Sequence, residues 1–197
     1  MTRAALHKAA FLDRDGVINR KACEGEYITT WEDFEILPGV PEAIASLNQA
    51  GFRVIVVSNQ RCVAKGLITV SELETLHKKL CGVLASAGAT IDAIYYCPHE
   101  NEPTCRCRKP APGMLLDATR DHDIELKASW MIGDSRADMQ AGLAAGCKTA
   151  LVAGLNVVMQ PEPEIFATSL LDAAQQILER EASANDPSGY AKHRVSI

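Results

Sequence analysis

Five continuous apolar runs, separated by helix-like segments, constrain the fold of this 197-residue chain more than any other feature. The runs are Ala9–Leu12, Phe52–Val57, Ala93–Tyr96, Ser129–Ile132 and Lys148–Val152, and a weaker sixth lies at Glu164–Ala167. Continuous apolar runs are typical of strands that are buried on both faces of a parallel sheet. Their alternation with helices indicates an α/β fold, and we predict a doubly wound, Rossmann-like parallel sheet.

Helix signals occupy the segments between these runs. We predict helices at Pro41–Ala50, Thr69–Ala87, Gly113–Asp121, Ala137–Ala145 and Leu170–Glu181. The first has a proline near its start and Gly51 after its end, which is the usual asymmetry, and Ser71 with Glu74 offers the second a capping interaction. No inserted segment is long enough for a separate cap domain. We therefore expect one domain over residues 1–181 and a loose polar tail over residues 182–197.

The charge and composition of the chain argue against several classes of protein. The net charge is −5 and the isoelectric point is about 5.5, so no basic field attracts nucleic acid or an anionic membrane. No apolar run approaches the length of a membrane span, and the first residues do not form a signal peptide. The seven cysteines, three of them within residues 97–107, suit a reducing compartment and a metal site better than disulfides. We expect a cytoplasmic monomer.

Two aspartates directly follow the first apolar run. Asp13 and Asp15 are two positions apart, so on an extended backbone their side chains face the same side, and Gly16 lets the chain turn sharply behind them. Carboxylates this close repel each other unless a cation lies between them or one is protonated. The pair indicates a Mg²⁺ site, a nucleophile beside a general acid, or both. The alternative is an ordinary turn, in which Asp and Gly are also favoured.

Other polar residues are expected at the same edge, because open parallel sheets bind ligands beyond the carboxyl ends of their strands. Ser58 ends the second run and is interpreted as a phosphate ligand or as part of a capped turn. Asp134 ends the fourth run and is either a helix N-cap or a third carboxylate on the cation, with Asp138 one helical turn on to brace it. Lys109 would balance this charge and hold a phosphoryl group, unless it is merely a solvated lysine.

A second cluster of candidate ligands follows the third run. Cys97, His99, Cys105 and Cys107 form a C-x-H-x₅-C-x-C array, which suits tetrahedral Zn²⁺. Chance clustering and disulfides are the alternatives, but two disulfides would need four cysteines here. A nucleic-acid-binding zinc module is disfavoured because the flanks lack a recognition helix. Four protein ligands leave no open position, so we predict a structural zinc that stabilises the loop carrying Lys109.

Taken together and in this order, the motifs at Asp13, Ser58, Lys109 and Asp134 resemble the haloacid dehalogenase (HAD) superfamily of phosphohydrolases. The resemblance implies that Asp13 is the nucleophile and that Asp15 is the general acid and then the general base. It implies that Mg²⁺ is held by the Asp13 carboxylate, the Asp15 backbone carbonyl and Asp134. Ser58 and Lys109 would stabilise the transferring phosphoryl group. A catalytically inactive scaffold is disfavoured, because every catalytic position is filled.

The zinc loop narrows the resemblance to phosphatases without a cap. The segments Tyr95–His99, Cys107–Pro110 and Pro112–Leu116 resemble the D-glycero-D-manno-heptose 1,7-bisphosphate 7-phosphatase family, whereas the short spacer between His99 and Cys105 also fits histidinol-phosphate phosphatases. The first family implies a small phosphorylated sugar as substrate, on the way to nucleotide-activated heptose for surface polysaccharides. Phosphatases of other sugars or of nucleic-acid 3′-phosphate ends are further alternatives.

One departure from the heptose family concerns its substrate. Arg61 and Cys62 stand where that family usually has Ser-Gly, and Lys65 stands where it has Arg. Guanidinium binds phosphate through paired hydrogen bonds, so we predict that Arg61 contacts the distal phosphate of a bisphosphate, with Lys65 as a second candidate. The residues that we expect to bind substrate are Asn59, Arg61, Lys65 and Arg108.

Overall fold

The computed structural model describes residues 6–101, 105–153 and 158–184 and contains one sheet of six parallel strands. The strands are β1 (Ala9–Leu12), β2 (Arg53–Asn59), β3 (Ala93–Cys97), β4 (Trp130–Gly133), β5 (Lys148–Val152) and β6 (Ile165–Ala167). Their order across the sheet is β3-β2-β1-β4-β5-β6. The chain thus moves outward from β1 in one direction and then in the other, which confirms the predicted doubly wound sheet. All six predicted runs form strands.

Helices cover both faces of this sheet. They are α1 (Val40–Gln49), α2 (Val70–Ser86), α3 (Gly113–His122), α4 (Arg136–Ala145) and α5 (Leu170–Ala184), and a 3₁₀ turn that was not predicted spans Leu126–Ala128. Alternate residues of β1 point to opposite faces, where Leu12 packs in a core with α1, α2 and α5, and Phe11 packs in a core with α3 and α4. Helix α5 extends three residues past Glu181 into the predicted tail. Residues 185–197 lie outside the described residues.

The predicted cap of α2 is displaced by two positions. Ser71 with Glu74 does not form it; instead Thr69 is the N-cap, its side chain accepts from the backbone N–H of Glu72, and Glu72 accepts from the backbone N–H of Thr69. The prediction was wrong because it placed the cap inside the helix, whereas an N-cap must have extended backbone angles, as Thr69 has.

Two long connections lie at the carboxyl end of the strands, one spanning residues 13–39 and the other described over residues 98–101 and 105–112. No helix or strand forms in residues 13–39, 98–101 or 105–112. Gly16 has a φ of 96°, and a Cβ at this position would lie 2.3 Å from Oδ2 of Asp134. Glycine therefore allows the first connection to turn directly against the end of β4. No described helix is long and apolar enough to cross a membrane.

Candidate active site

The ends of β1, β2 and β4 surround a cavity of about 400 Å³. Seven of the predicted site residues line it: Asp13, Asp15, Ser58, Asn59, Arg108, Lys109 and Asp134. Arg14, Lys21, Gln60 and Asp138 line it as well. The parallel sheet brings these residues together because its strands end at one edge, as expected from sequence.

Lys109 lies at the bottom of this cavity and is almost fully buried. Its Nζ is 2.8 Å from Oδ1 of Asp13, 2.6 Å from Oδ1 of Asp138 and 2.7 Å from the carbonyl oxygen of Val57. Burial alone would lower the pKa of Lys109, but the two carboxylates outweigh it and raise that pKa. Lys109 is therefore held in its charged form, with three oxygen atoms within 2.8 Å of its Nζ.

Asp138 has a position that sequence reasoning only partly anticipated. Ser135, not Asp134, is the N-cap of α4, and Oδ2 of Asp138 accepts from the backbone N–H of Ser135 at 3.0 Å. The other oxygen of Asp138 pairs with Lys109. Since Ser135 caps the helix, Asp134 is left to face the cavity.

Three carboxylates form a candidate cation site. Oxygen atoms of Asp13, Asp134 and Asp138 all lie within 4.8 Å of one another. Oδ1 of Asp134 is buried and has no hydrogen-bond partner. Burial, opposed by Lys109 and assisted by Asp138 and Asp134, raises the pKa of Asp13 to about 7. A divalent cation would supply the missing partner and offset the repulsion, and carboxylate oxygens are the ligands that Mg²⁺ prefers. The arrangement therefore fits Mg²⁺.

The Asp15 side chain lies apart from this carboxylate cluster. It accepts hydrogen bonds from Nε and Nη2 of Arg14 at 3.2 and 3.0 Å, from Asn19 at 2.9 Å and from Gln60 at 3.0 Å. Burial would raise the pKa of Asp15, but the Arg14 charge and these hydrogen bonds together lower it. Asp15 is thus ionised before substrate arrives. The resemblance assigns only its backbone carbonyl to Mg²⁺, and that assignment stays a prediction.

Gln60 links Ser58 to Asp15 and was not singled out from sequence. Its Nε2 donates to Oγ of Ser58 at 2.7 Å as well as to Asp15. The Ser58 hydroxyl proton has no acceptor among the described residues and remains available for a phosphate oxygen. Gln60 directly follows the end of β2, and this position is the sequence signal that could have identified it as a site residue.

The side-chain amide of Asn59 is hydrogen-bonded to the protein itself. Its Nδ2 donates to the carbonyl oxygen of Lys109, and its Oδ1 accepts from the Lys109 backbone N–H, both at 3.0 Å. Both ends of the predicted substrate-binding amide are therefore occupied. Asn59 therefore fixes the backbone of Lys109.

The other predicted substrate ligands divide into two groups. Arg108 lines the cavity, and its Nη1 donates to the carbonyl oxygen of His99 at 3.5 Å. Arg61 and Lys65 do not line it: Arg61 forms an ion pair with Glu100, and Lys65 lies 5.2 Å above the ring of Tyr27. Tyr27 does line the cavity, so Arg61 and Lys65 lie behind Tyr27 and outside the cavity.

The predicted zinc ligands converge into one cluster. The ligand atoms of Cys97, His99, Cys105 and Cys107 are 3.2–3.5 Å apart in five pairs, too far for a disulfide. Tetrahedral bonds of about 2.3 Å to one Zn²⁺ would place sulfur atoms about 3.8 Å apart, close to this spacing. Burial alone would raise the pKa of Cys105, yet backbone and thiol hydrogen bonds lower it to about 6, whereas burial raises the pKa of Cys97 and of Cys107. A cation among these sulfur atoms would favour the thiolate form of all three. The donor set therefore fits zinc.

Known proteins resemble this chain in sequence and in fold. A HAD-hydrolase-like family model matches residues 106–173. The D-glycero-β-D-manno-heptose 1,7-bisphosphate 7-phosphatase of Pseudomonas putida is 41% identical over 145 residues, which cover 74% of this chain and 82% of that protein. The Escherichia coli K12 protein of the same name is 38% identical over 187 residues, which cover 89% of this chain and 96% of that protein.

A solved structure agrees with these relatives. D,D-heptose 1,7-bisphosphate phosphatase from Bordetella bronchiseptica, crystallised with magnesium and phosphate, matches with a TM-score of 0.78 and 36% identity over 88% of this chain and 99% of that one. The predicted membership of the HAD superfamily is thereby confirmed. The chain belongs to the heptose 1,7-bisphosphate 7-phosphatase family of HAD-superfamily phosphatases, which are phosphoric monoester hydrolases.

Proposed function

We propose that this protein removes the 7-phosphate of D-glycero-β-D-manno-heptose 1,7-bisphosphate. The observation that carries the proposal is the pairing of the Asp13 carboxylate with the buried Lys109 ammonium at 2.8 Å, in a chain whose relatives bear this enzyme's name. A cavity of about 400 Å³ that is bounded by loops is of a suitable size for a sugar phosphate.

Asp13 is the proposed nucleophile. Its Oδ1 accepts from the backbone N–H of Arg14 at 2.7 Å and pairs with Lys109, whereas Oδ2 has no donor among the described residues. The free oxygen attacks phosphorus, the bond from phosphorus to the sugar oxygen breaks, and an aspartyl-phosphate forms on Asp13. Lys109 and the Ser58 hydroxyl stabilise the charge on the transferring group.

Asp15 moves the proton in both half-reactions. It gives a proton to the departing sugar oxygen, then takes one from the water whose oxygen displaces Asp13 from phosphorus, releasing inorganic phosphate. Because Asp15 is ionised at rest, this proton must arrive with the substrate, and the negative charge of the phosphate raises the pKa of Asp15 as it binds.

Asp13 and Asp134 are the side chains proposed to hold Mg²⁺. When bound, the cation neutralises charge on the phosphoryl oxygens and orients them for attack. The proposed zinc at Cys97, His99, Cys105 and Cys107 has a structural role, since it would stabilise the loop that carries Arg108 and Lys109.

The second phosphate of the substrate needs a cation outside the phosphoryl site. Arg108 is the first candidate because it lines the cavity. Arg61 and Lys65 are the second candidates, since Arg61 would have to leave Glu100 to reach a ligand. Arg108→Ala should raise KM for a bisphosphate about 10- to 150-fold but change KM for a small monophosphate little, because loss of a charge-assisted hydrogen bond costs about 1.5–3 kcal/mol. Arg61→Ala tests the alternative with the same two substrates.

A phosphate-release screen tests the function. The purified protein with Mg²⁺ should show its highest kcat/KM with the β-anomer of the heptose bisphosphate, compared with the α-anomer, histidinol phosphate and other sugar phosphates. Asp13→Asn should abolish release with every substrate while the protein stays folded, because a carboxamide is a poor nucleophile. A preference for histidinol phosphate would replace the proposed substrate, and near-native release by Asp13→Asn would remove Asp13 from its role.

A further inference from the structure

Arg14 is a buried cation directly beneath the active site. Its side chain is 1% exposed, although it lies between the two catalytic aspartates in sequence. Its Nε and Nη2 donate to the two carboxylate oxygens of Asp15, and its guanidinium lies 5.5 Å from the ring centre of Phe34. The fork of Arg14 thus fixes both the position and the rotation of the Asp15 carboxylate.

The third nitrogen of the Arg14 guanidinium, Nη1, is hydrogen-bonded to a residue of α2. Nη1 of Arg14 is 3.3 Å from Nε2 of His77, which is 5% exposed. Guanidinium has no acceptor, so Nε2 must accept and the proton of a neutral His77 must be on Nδ1. Burial and the Arg14 charge lower the pKa of His77 to about 3, which keeps the imidazole neutral and able to accept near neutral pH. The imidazole also packs edge-on against Tyr96, with ring centres 5.6 Å apart.

We propose that His77, which does not line the active-site cavity, is a positioning residue that holds Asp15 in place for proton transfer by fixing Arg14. The inference rests on the proposed function of Asp15 as the proton donor. It follows from the continuous contact from His77 through Arg14 to Asp15, in which each side chain is hydrogen-bonded to the next and both His77 and Arg14 are buried. Proton transfer depends on carboxylate placement to within about 0.5 Å. Arg14 supplies two of the four hydrogen bonds that hold the Asp15 carboxylate, so the placement of Arg14 affects that of Asp15.

The choice of leaving group separates positioning from a purely structural role. An alkyl phosphate needs a proton on its departing oxygen, whereas p-nitrophenolate leaves without one. kcat/KM reports only the steps up to transfer of the phosphoryl group to Asp13, so it excludes the later use of Asp15 as a base. His77→Leu should lower kcat/KM about 10- to 100-fold for the alkyl phosphate and less than about threefold for p-nitrophenyl phosphate.

Two further variants make the test decisive. His77→Gln keeps an acceptor toward Arg14 and should recover most of the alkyl phosphate activity. Leu80→Ala removes a fully buried side chain from the same helix and should lower the Tm without changing the ratio of the two activities. Equal losses on both substrates in His77→Leu, or no recovery in His77→Gln, would overturn the proposal.

The alkyl phosphate for this test is whichever alkyl phosphate the native protein hydrolyses fastest in the phosphate-release screen. A mistaken heptose assignment therefore changes that substrate but leaves the comparison intact. Failure of the proposed function would appear instead as a lack of Asp13-dependent hydrolysis of both substrates.

Discussion

Lys21 pairs with Asp134 across the mouth of the cavity, with Nζ 2.6 Å from Oδ2. Lys21 belongs to the connection after β1, its side chain is 57% exposed, and it contacts a carboxylate proposed to hold Mg²⁺. A lysine at this position would compete with a divalent cation that binds Asp134. On metal binding the ammonium would be released toward the cavity, where a phosphate offers it another partner.

Lys21→Met should therefore tighten Mg²⁺ binding to the phosphate-free protein. Exposed ion pairs are worth about 0.2–1 kcal/mol, so the expected change in Kd is about 1.4- to fivefold. Isothermal titration calorimetry with MgCl₂ measures it without reference to activity. Arg20→Met is the matched control, because Arg20 is the neighbouring cation and pairs with Glu35 instead. An unchanged Kd in Lys21→Met, or the same change in both variants, would contradict competition at Asp134.

Asn59→Asp and Asn59→Ala test the role of Asn59 in holding Lys109. Aspartate keeps the acceptor for the Lys109 backbone N–H but loses the donor to its carbonyl, and alanine loses both. We expect kcat to fall in both variants, by about 10- to 100-fold in Asn59→Ala, because an unsupported Lys109 no longer holds the phosphoryl group. Initial rates at saturating substrate measure this effect. A change in KM with native kcat would return Asn59 to the substrate-binding role predicted from sequence.

The sequence was sufficient for the strands and for the residues at their ends. Apolar runs are local signals, and a parallel sheet necessarily brings Asp13, Ser58 and Asp134 to one edge. The zinc cluster was predictable for a similar reason, since its four ligands lie within eleven consecutive positions, 97–107.

The contacts that sequence missed depend on how distant segments fold against each other. Lys21 and Asp134 are 113 positions apart, and Arg14 and His77 are 63 positions apart. The sequence identifies His77 only as a histidine within a predicted helix, with no interaction partner nearby in the sequence. Its contact exists because α2 packs beneath the turn after β1, and no local pattern encodes that packing.

Zinc content provides a prediction for the loop at residues 97–107. The native protein should contain one zinc per chain, measured by elemental analysis after dialysis. Cys105→Ser should lose most of the zinc and lower the Tm, because three remaining ligands bind more weakly and the loop loses its crosslink. Cys147→Ser is the control, since Cys147 is buried against α3 and α4 and lies outside the cluster. Stoichiometric zinc in Cys105→Ser, or none in the native protein, would refute the site.

The buried imidazole of His77 should make the stability of the protein depend on pH. Burial and the Arg14 charge lower the pKa of His77 to about 3 in the folded state, whereas an unfolded histidine titrates near pH 6.5. Between these values the unfolded chain binds the additional proton, so the free energy of unfolding falls as the pH falls below 6.5 and is fully restored above it. Between pH 8 and pH 5 the expected loss from this one group is about 2 kcal/mol. Urea unfolding of the native protein and of His77→Gln at several pH values isolates this effect, because the other titrating groups cancel in the difference. The native protein should lose its advantage over the variant toward pH 5, whereas a constant difference across this range would mean that folding does not lower the pKa of His77.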